Sequence, residues 1–352
     1  MDKDLSFNNV LHVSPYYKLK GGVSSVIHNY KTNNKDSFKH FYSMYFSNKL
    51  LNVFVFPLIL THYLVLIINP TIKIVHLHCA KKGSFYRKYI FLKIAVFFNK
   101  KVVFHIHSGQ FYSFYLDSNS FVKKRIEQVL IKSDAVVVLT NYWKDYFYSK
   151  FIINNLVVVN NLVPFQEKKE KNINPKLQLL FLGDIGKRKG IFDLLDSIEK
   201  YKDEFSGQIK LFVAGIGERN KIINKIKEYE LEDDITYLGW ISGLEKQKVI
   251  EKSDIIVLPS YAEGLPMALL EAMSFSMPVI SSNIIGILDI LENNKNGKVI
   301  IPGDIDSIAC AINYYIDNKK MIAIHGDESY NIAKNYFPTP IFQQLSQLYK
   351  SI

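Results

Sequence analysis

Two glutamates eight positions apart, Glu263 and Glu271, lie in the stretch SYAEGLPMALLEAM, directly after the apolar run IIVLP. Glu263 falls in a predicted loop and Glu271 in a predicted helix. Eight residues span about two helical turns, so the carboxylates can grip separate parts of one elongated ligand. Between them Gly264, Leu265, Pro266 and Met267 form the helix entry, where amides without intrahelical partners can meet a phosphate or sugar oxygen. The plainer roles are a dipole partner for Glu263 and a solvent-facing position for Glu271.

A second cationic stretch, FLGDIGKRKGIFDLL at 181–195, places Lys187, Arg188 and Lys189 at the expected mouth of a helix. The macrodipole disfavours cations there, which argues for an anionic ligand such as phosphate over a solvated turn. Gly21 and Gly22 follow the first strand and precede a helix, where bare backbone can approach a phosphate. His105 and His107 end the run VVFHIH, and His76 and His78 end IVHLH. Taken as alternating along a strand, His105 and His107 are expected on opposite faces, with only one turned to a cleft. No carboxylate or thiol has a fitting spacing, so no metal site is expected. Asp304-Ile305-Asp306 has the form of a DxD metal motif, but it opens the apolar helix SIACAINYYI and reads better as a helix cap.

These groups need a scaffold that collects loops at strand ends. Short, β-branched, nearly continuous apolar runs occur at 9–13, 73–78, 101–107, 135–139 and 156–159, the pattern of parallel strands buried on both faces. Helical runs separate them, two being 23–30 and 122–131. A proline-framed charged linker, 164–175, interrupts the pattern. It restarts with runs at 177–182, 210–214, 235–238, 255–258 and 279–282, so a second α/β domain is expected. The tail, 337–352, predicts a proline-led helix with Phe342, Leu345, Leu348 and Tyr349 in one stripe, able to pack on either domain.

The net charge is +11 over 352 residues. It is unevenly placed: residues 1–165 hold 21 Lys and Arg against 7 Asp and Glu, and the remainder 23 against 26. A basic half suggests a polyanionic partner, nucleic acid or anionic lipid. Two distant cysteines, Cys79 and Cys310, fit a reducing compartment. The first residues lack the form of a secretory leader, so a cytosolic chain is expected. Residues 50–69 are long enough to span a bilayer, but Asn52, Pro57, Thr61 and His62 favour a core or interfacial helix.

In EGLPMALLE with its AM-x5-PVI continuation, in Gly21-Gly22, HIHSG, VVVNNLVP and the KRKG turn, taken in this order, the chain resembles the family 4 glycosyltransferases. The resemblance spans nearly the whole chain. It implies an α/β GT-B fold, two Rossmann-like domains facing across a cleft: an acceptor-binding domain at 1–164, a nucleotide-sugar domain at 165–336 and a terminal helix at 337–352 that packs back on the first domain. It further implies that Glu271 holds ribose hydroxyls, while Glu263 and the amides of Gly264 to Met267 hold the donor sugar. Lys189 and Arg188 would neutralise the diphosphate, Gly22 with Gly21 would present backbone to it, and His107 would lie beside the sugar. Trp240 would sit near the base, unless it is a core residue. The family commonly has arginine where this chain has Asp184, so either Arg188 supplies that cation or Asp184 turns away.

Without a carboxylate identifiable as covalent nucleophile, the resemblance implies front-face transfer with retention. It needs no cofactor or metal beyond a nucleotide-sugar donor, expected to be uridine-linked. The expected acceptor is a saccharide or lipid-linked saccharide of bacterial surface polysaccharide (capsule, O-antigen), met by a peripheral protein at the cytoplasmic membrane face. A nucleotide-sugar epimerase would use a similar cleft. A nicotinamide oxidoreductase would want G-x-G-x-x-G where the chain has SPYYKLKGG. A nucleic-acid binder would use the basic half, but its lysines are scattered without a recognition motif, so no nucleic acid is expected.

Overall fold

The computed structural model describes residues 7–33, 38–168 and 174–352. The expected leader-free start and the middle of the linker at 164–175 therefore lie partly outside the described residues. The chain forms two compact units, residues 1–164 with 336–352, and residues 165–335.

In the first unit the order is β1 (Val10–Pro15), α1 (Gly22–Asn33), β2 (Lys39–Met44), α2 (Lys49–Ile68), β3 (Ile74–Cys79) and α3 (Gly83–Phe97). Then come β4 (Lys101–Ile106), α4 (Phe111–Leu116), α5 (Ser120–Lys132), β5 (Ala135–Val138), α6 (Asn141–Tyr148) and β6 (Leu156–Val158). The six strands form one parallel sheet in the order β2-β1-β3-β4-β5-β6. Strands β3 and β5 are buried throughout, which is why their residues read as unbroken apolar runs relieved only by histidines.

The second unit holds β7 (Leu177–Leu182), α7 (Ile191–Lys200), α8 (Lys202–Phe205), β8 (Ile209–Ala214), α9 (Arg219–Glu228) and β9 (Ile235–Gly239). It continues with α10 (Gly243–Lys252), β10 (Ile255–Leu258), α11 (Met267–Ser274), β11 (Val279–Ser282), β12 (Gly297–Ile300), α12 (Ile305–Asp317) and α13 (Lys320–Ala333). Its sheet is also parallel, in the order β12-β11-β10-β7-β8-β9.

The last helix, α14 (Pro338–Ser351), belongs to the first unit. Its Phe342 and Tyr349 meet Phe7 at ring separations of 6.0 and 5.5 Å, and Gln344 Oε1 accepts from Asn160 N.

Both sheets reverse direction of growth once. In the first unit the chain adds β2 on one side of β1 and β3 on the other; in the second, β8 lies on one side of β7 and β10 on the other. At such a point the loops after two neighbouring strands diverge and leave a crevice at the carboxyl ends. Strands β2 and β12 fall outside the expected set, and α2 has a largely exposed face rather than a core position.

Candidate functional site

The switch point of the second unit collects most of the expected residues. After β7 the chain does not run straight into α7. Lys187, Arg188 and Lys189 form a separate 3-10 turn, closed by Gly190 in the left-handed region (φ 70°). The three cations therefore stand directly before α7, at its mouth, in a turn of their own, while the first turn of α7 carries Asp193. A Cβ at Gly190 would lie 1.9 Å from Pro259 O, so the turn presses directly on the loop that follows β10. Tyr261 N donates to Arg188 O (2.9 Å) and fixes that contact.

The two loops thereby interlock their charges. Lys189 Nζ donates to Glu263 Oε1 (2.6 Å), which also accepts from Ser260 Oγ (2.7 Å). One terminal nitrogen of Arg188 donates to Asp184 Oδ2 (2.7 Å); the other donates to Ala262 O (3.3 Å) and lies 3.8 Å from Glu263 Oε2. Glu263 is buried, and an unpaired carboxylate there would be costly. Asp184 thus pairs with Arg188, with Asp184 at the more exposed end of the pair.

Gly264, Leu265 and Pro266 are buried and lead into α11, whose first residue is Met267. No side chain caps α11, so its entry keeps the polarity of a helix N-terminus. Four positions on, Glu271 is not solvent-facing: its Oε2 accepts from Lys246 Nζ of α10 at 2.8 Å. Trp240 follows β9 and is 42% exposed, which rules out the core alternative. Asp304 accepts from the amides of Asp306 and Ser307, and Asp306 pairs with Lys200, so the DxD look-alike is a helix cap.

In the first unit, Gly21 has φ 146° and Gly22 begins α1; a Cβ at either would meet no atom within 4 Å. Open space thus lies over the first turn of a twelve-residue helix. The histidines differ from expectation. His105 and His107 lie on the same face, rings stacked at 4.0 Å, as do His76 and His78 at 4.4 Å. Residues two apart share a face of a strand, so the opposite-face assignment is corrected.

Parallel register then gathers these rings: His12 pairs with His76 across β1 and β3, and His78 with His105 across β3 and β4. A single hydrogen-bonded string results. It runs His107 Nε2 to His78 Nδ1 (2.9 Å), His78 Nε2 to His12 Nδ1 (3.0 Å), and His12 Nε2 to Tyr349 Oη (3.4 Å). From Tyr349 Oη it continues to His76 Nδ1 (2.6 Å), and from His76 Nε2 to His105 Nδ1 (3.0 Å). Burial holds all five imidazoles well below their usual pKa, His107 at about 3. Neutral imidazole has one donor and one acceptor nitrogen, so each link can be satisfied along such a string.

Ser260, Lys246 and Tyr349 were not among the expected site residues. Ser260 and Lys246 matter only through the carboxylates they hold. Tyr349 is 273 positions from His76, a contact with no local signal.

Residues 164–331 match the family described as Glycosyl transferases group 1, which covers nearly all of the second unit. The chain is 26% identical over 327 residues to an uncharacterized 41.2 kDa protein in the cps region of Klebsiella pneumoniae, covering 83% of this chain and 86% of that one. Over 133 residues, 37% of this chain and 36% of the other, it is 36% identical to a lipopolysaccharide 1,6-galactosyltransferase of Escherichia coli. Among solved structures, HepE of Anabaena in complex with UDP superposes with a TM-score of 0.80 at 14% identity, over 98% of this chain and 100% of that one, a likeness of fold. Residues 164–331 thus belong to the group 1 family, and the chain as a whole has the two-sheet α/β fold of GT-B architecture.

Proposed function

We propose that this chain is a glycosyltransferase that moves a hexose or N-acetylhexosamine, with retention, from a nucleoside diphosphate sugar to a saccharide or lipid-linked saccharide, as a family 4 enzyme would. The observation that carries the reading is the interlocked Lys189–Glu263–Arg188 group at the switch point of the second sheet.

The main barrier in such a transfer is negative charge growing on the departing diphosphate, and preorganised cations lower it. Lys189 commits one N–H donor to Glu263 and has two more to offer an oxygen. Arg188, held by Asp184, adds a second positive group beside it. Glu263 then has a double part: it positions the lysine and turns its remaining lone pairs to sugar hydroxyls, with the amides of Gly264 to Met267. Glu271, aimed by Lys246, takes the ribose, and Trp240 the base.

His107 acts in this scheme as a neutral hydrogen-bonding group beside the transferred sugar, its low pKa keeping it uncharged at neutral pH. Gly21 and Gly22 offer backbone to the diphosphate. The leaving phosphate helps accept the acceptor proton, and the scheme calls for no metal or cofactor. The donor is read as uridine-linked; HepE was solved with UDP and with UDP-glucose. The setting is surface polysaccharide synthesis by a protein resting peripherally on the cytoplasmic membrane face, without nucleic acid as partner.

Titration calorimetry and turnover assays on Glu271→Ala and Lys189→Ala test the assignments. Glu271→Ala should weaken donor binding at least tenfold, since a ribose contact to a charged group is worth about 1.5–3 kcal/mol. Lys189→Ala should lower kcat by about 100-fold with a smaller effect on donor affinity. Wild-type behaviour in either variant overturns that residue's role.

A further inference from the structure

Helix α2 carries no charged residue after Lys49 over its twenty positions. One stripe is packed: Ile59, Tyr63 and Ile67 are buried, and Tyr63 Oη donates to Phe91 O of α3 (3.1 Å). The other is not. Leu51, Phe54, Leu58, Val65 and Ile68 recur at helical spacing along the far side, Phe54 at 79% and Leu58 at 73% exposure. Phe97, the last residue of α3, is exposed to the same degree as Phe54. Contiguous exposed side chains of this size mark a surface that something covers.

The surrounding charge says what. Residues 37–116 contain ten Lys and Arg and not one Asp or Glu, although Lys88 is buried and Lys101 pairs with Asp134. Two of these cations sit at the far end of the helix: Lys39 Nζ reaches Thr71 Oγ1 (3.4 Å), and Lys100 Nζ donates to Asn69 O and Ile72 O. An ordinary protein-binding groove would mix both signs around its rim to set register. An apolar face flanked at its end by cations, in a stretch without carboxylates, matches an interface of acyl chains beneath anionic phosphates.

We propose that α2 lies in the plane of an anionic bilayer surface, with the face of Leu51, Phe54, Leu58 and Val65 sunk among acyl chains and the neighbouring lysines on lipid phosphate. The helix does not cross the bilayer, because crossing would strip Ile59, Tyr63 and Ile67 from the core that buries them. This deepens, and rests on, the reading of the first unit as the side that meets a lipid-linked acceptor. It assigns the contact to a specific helix face, not to charge alone.

Sedimentation of the full chain with phosphatidylcholine vesicles, and with phosphatidylcholine–phosphatidylglycerol vesicles, tests it. The wild type should bind the anionic vesicles strongly. The variant Phe54→Ser/Leu58→Ser/Val65→Ser should lose at least about tenfold of that binding. Its thermal shift with UDP-glucose should be unchanged, which shows that the chain still folds and keeps its donor site. Lys39→Gln/Lys100→Gln should lower binding to anionic vesicles and make the remainder less sensitive to salt. In Phe54→Trp, the added fluorescence should be quenched by lipids brominated on their acyl chains.

If the triple serine variant binds like the wild type, or the Phe54→Trp signal is not quenched, insertion of α2 is wrong and only charge attraction stands. If the wild type sediments with neither vesicle, the lipid-facing reading falls with it. A UDP-glucose shift that persists then leaves the donor assignment intact.

Discussion

Glu263 is the residue on which the second unit's site turns, because it holds two groups at once. Removing its charge leaves the amine of Lys189, itself largely buried, without its counter-ion. Breaking a buried pair from one side costs about 3 kcal/mol, more than the pair gains over an apolar equivalent. Glu263→Gln should therefore lower the stability of the second unit by about that amount and depress turnover, as read by urea denaturation beside a kinetic assay. Ser260→Ala removes one hydrogen bond to the same carboxylate and leaves the ion pair, so its cost should be near 1 kcal/mol. Equal losses in the two variants would mean that Glu263 serves only as a local structural anchor. The sequence pointed to Glu263 through its place at a helix entry after an apolar run, and to Lys189 and Arg188 as cations where the macrodipole disfavours them. It could not show that they touch. That follows from Gly190 lying against Pro259, and from sheet order, which puts β7 next to β10 although about seventy residues separate them.

Most strands could be read directly, since a parallel strand covered on both faces is an unbroken apolar run. Strands β2 (KHFYSM) and β12 (GKVI) could not, because they lie at the ends of their sheets and carry lysines and half-buried residues. The histidine string shows a further limit: the HLH and HIH patterns are visible, but their meeting with His12 depends on register, and their link through Tyr349 depends on where α14 packs. That link predicts a loss confined to one atom. Tyr349→Phe keeps the ring against Phe7 but removes the hydroxyl, leaving His76 Nδ1 and His12 Nε2 buried without that partner. The first unit should lose about 1–3 kcal/mol, the cost of unsatisfied buried polar groups. The histidine tautomers should also redistribute, visible in imidazole nitrogen NMR shifts. An unchanged nitrogen spectrum would mean that the string is a set of separate contacts.

At the scale of the whole molecule the two units should respond differently to acid. Eight of the nine histidines are in the first unit, and six of those, His12, His40, His76, His78, His105 and His107, have pKa values lowered chiefly by burial. The second unit has one histidine, His325, which is also shifted down. A group whose folded pKa is depressed stabilises fully above its unfolded value, near 6.5. That stability drains as pH falls toward the folded value, about 3 for His40 and His107, because the unfolded chain takes up protons that the folded one refuses. Each such histidine costs about 1.4 kcal/mol per pH unit once the unfolded form is protonated, and six together reach about 8. A domain stability of about 5–15 kcal/mol cannot withstand that for more than one or two units of pH. The first unit should therefore unfold between about pH 6 and 4.5 while the second persists. The two tryptophans separate the events, with Trp143 buried in the first unit and Trp240 exposed in the second. Trp240→Phe should show the early acid transition in its remaining fluorescence, and Trp143→Phe should not. A single shared transition in both variants would mean that the units unfold as one, or that the imidazoles are not held neutral.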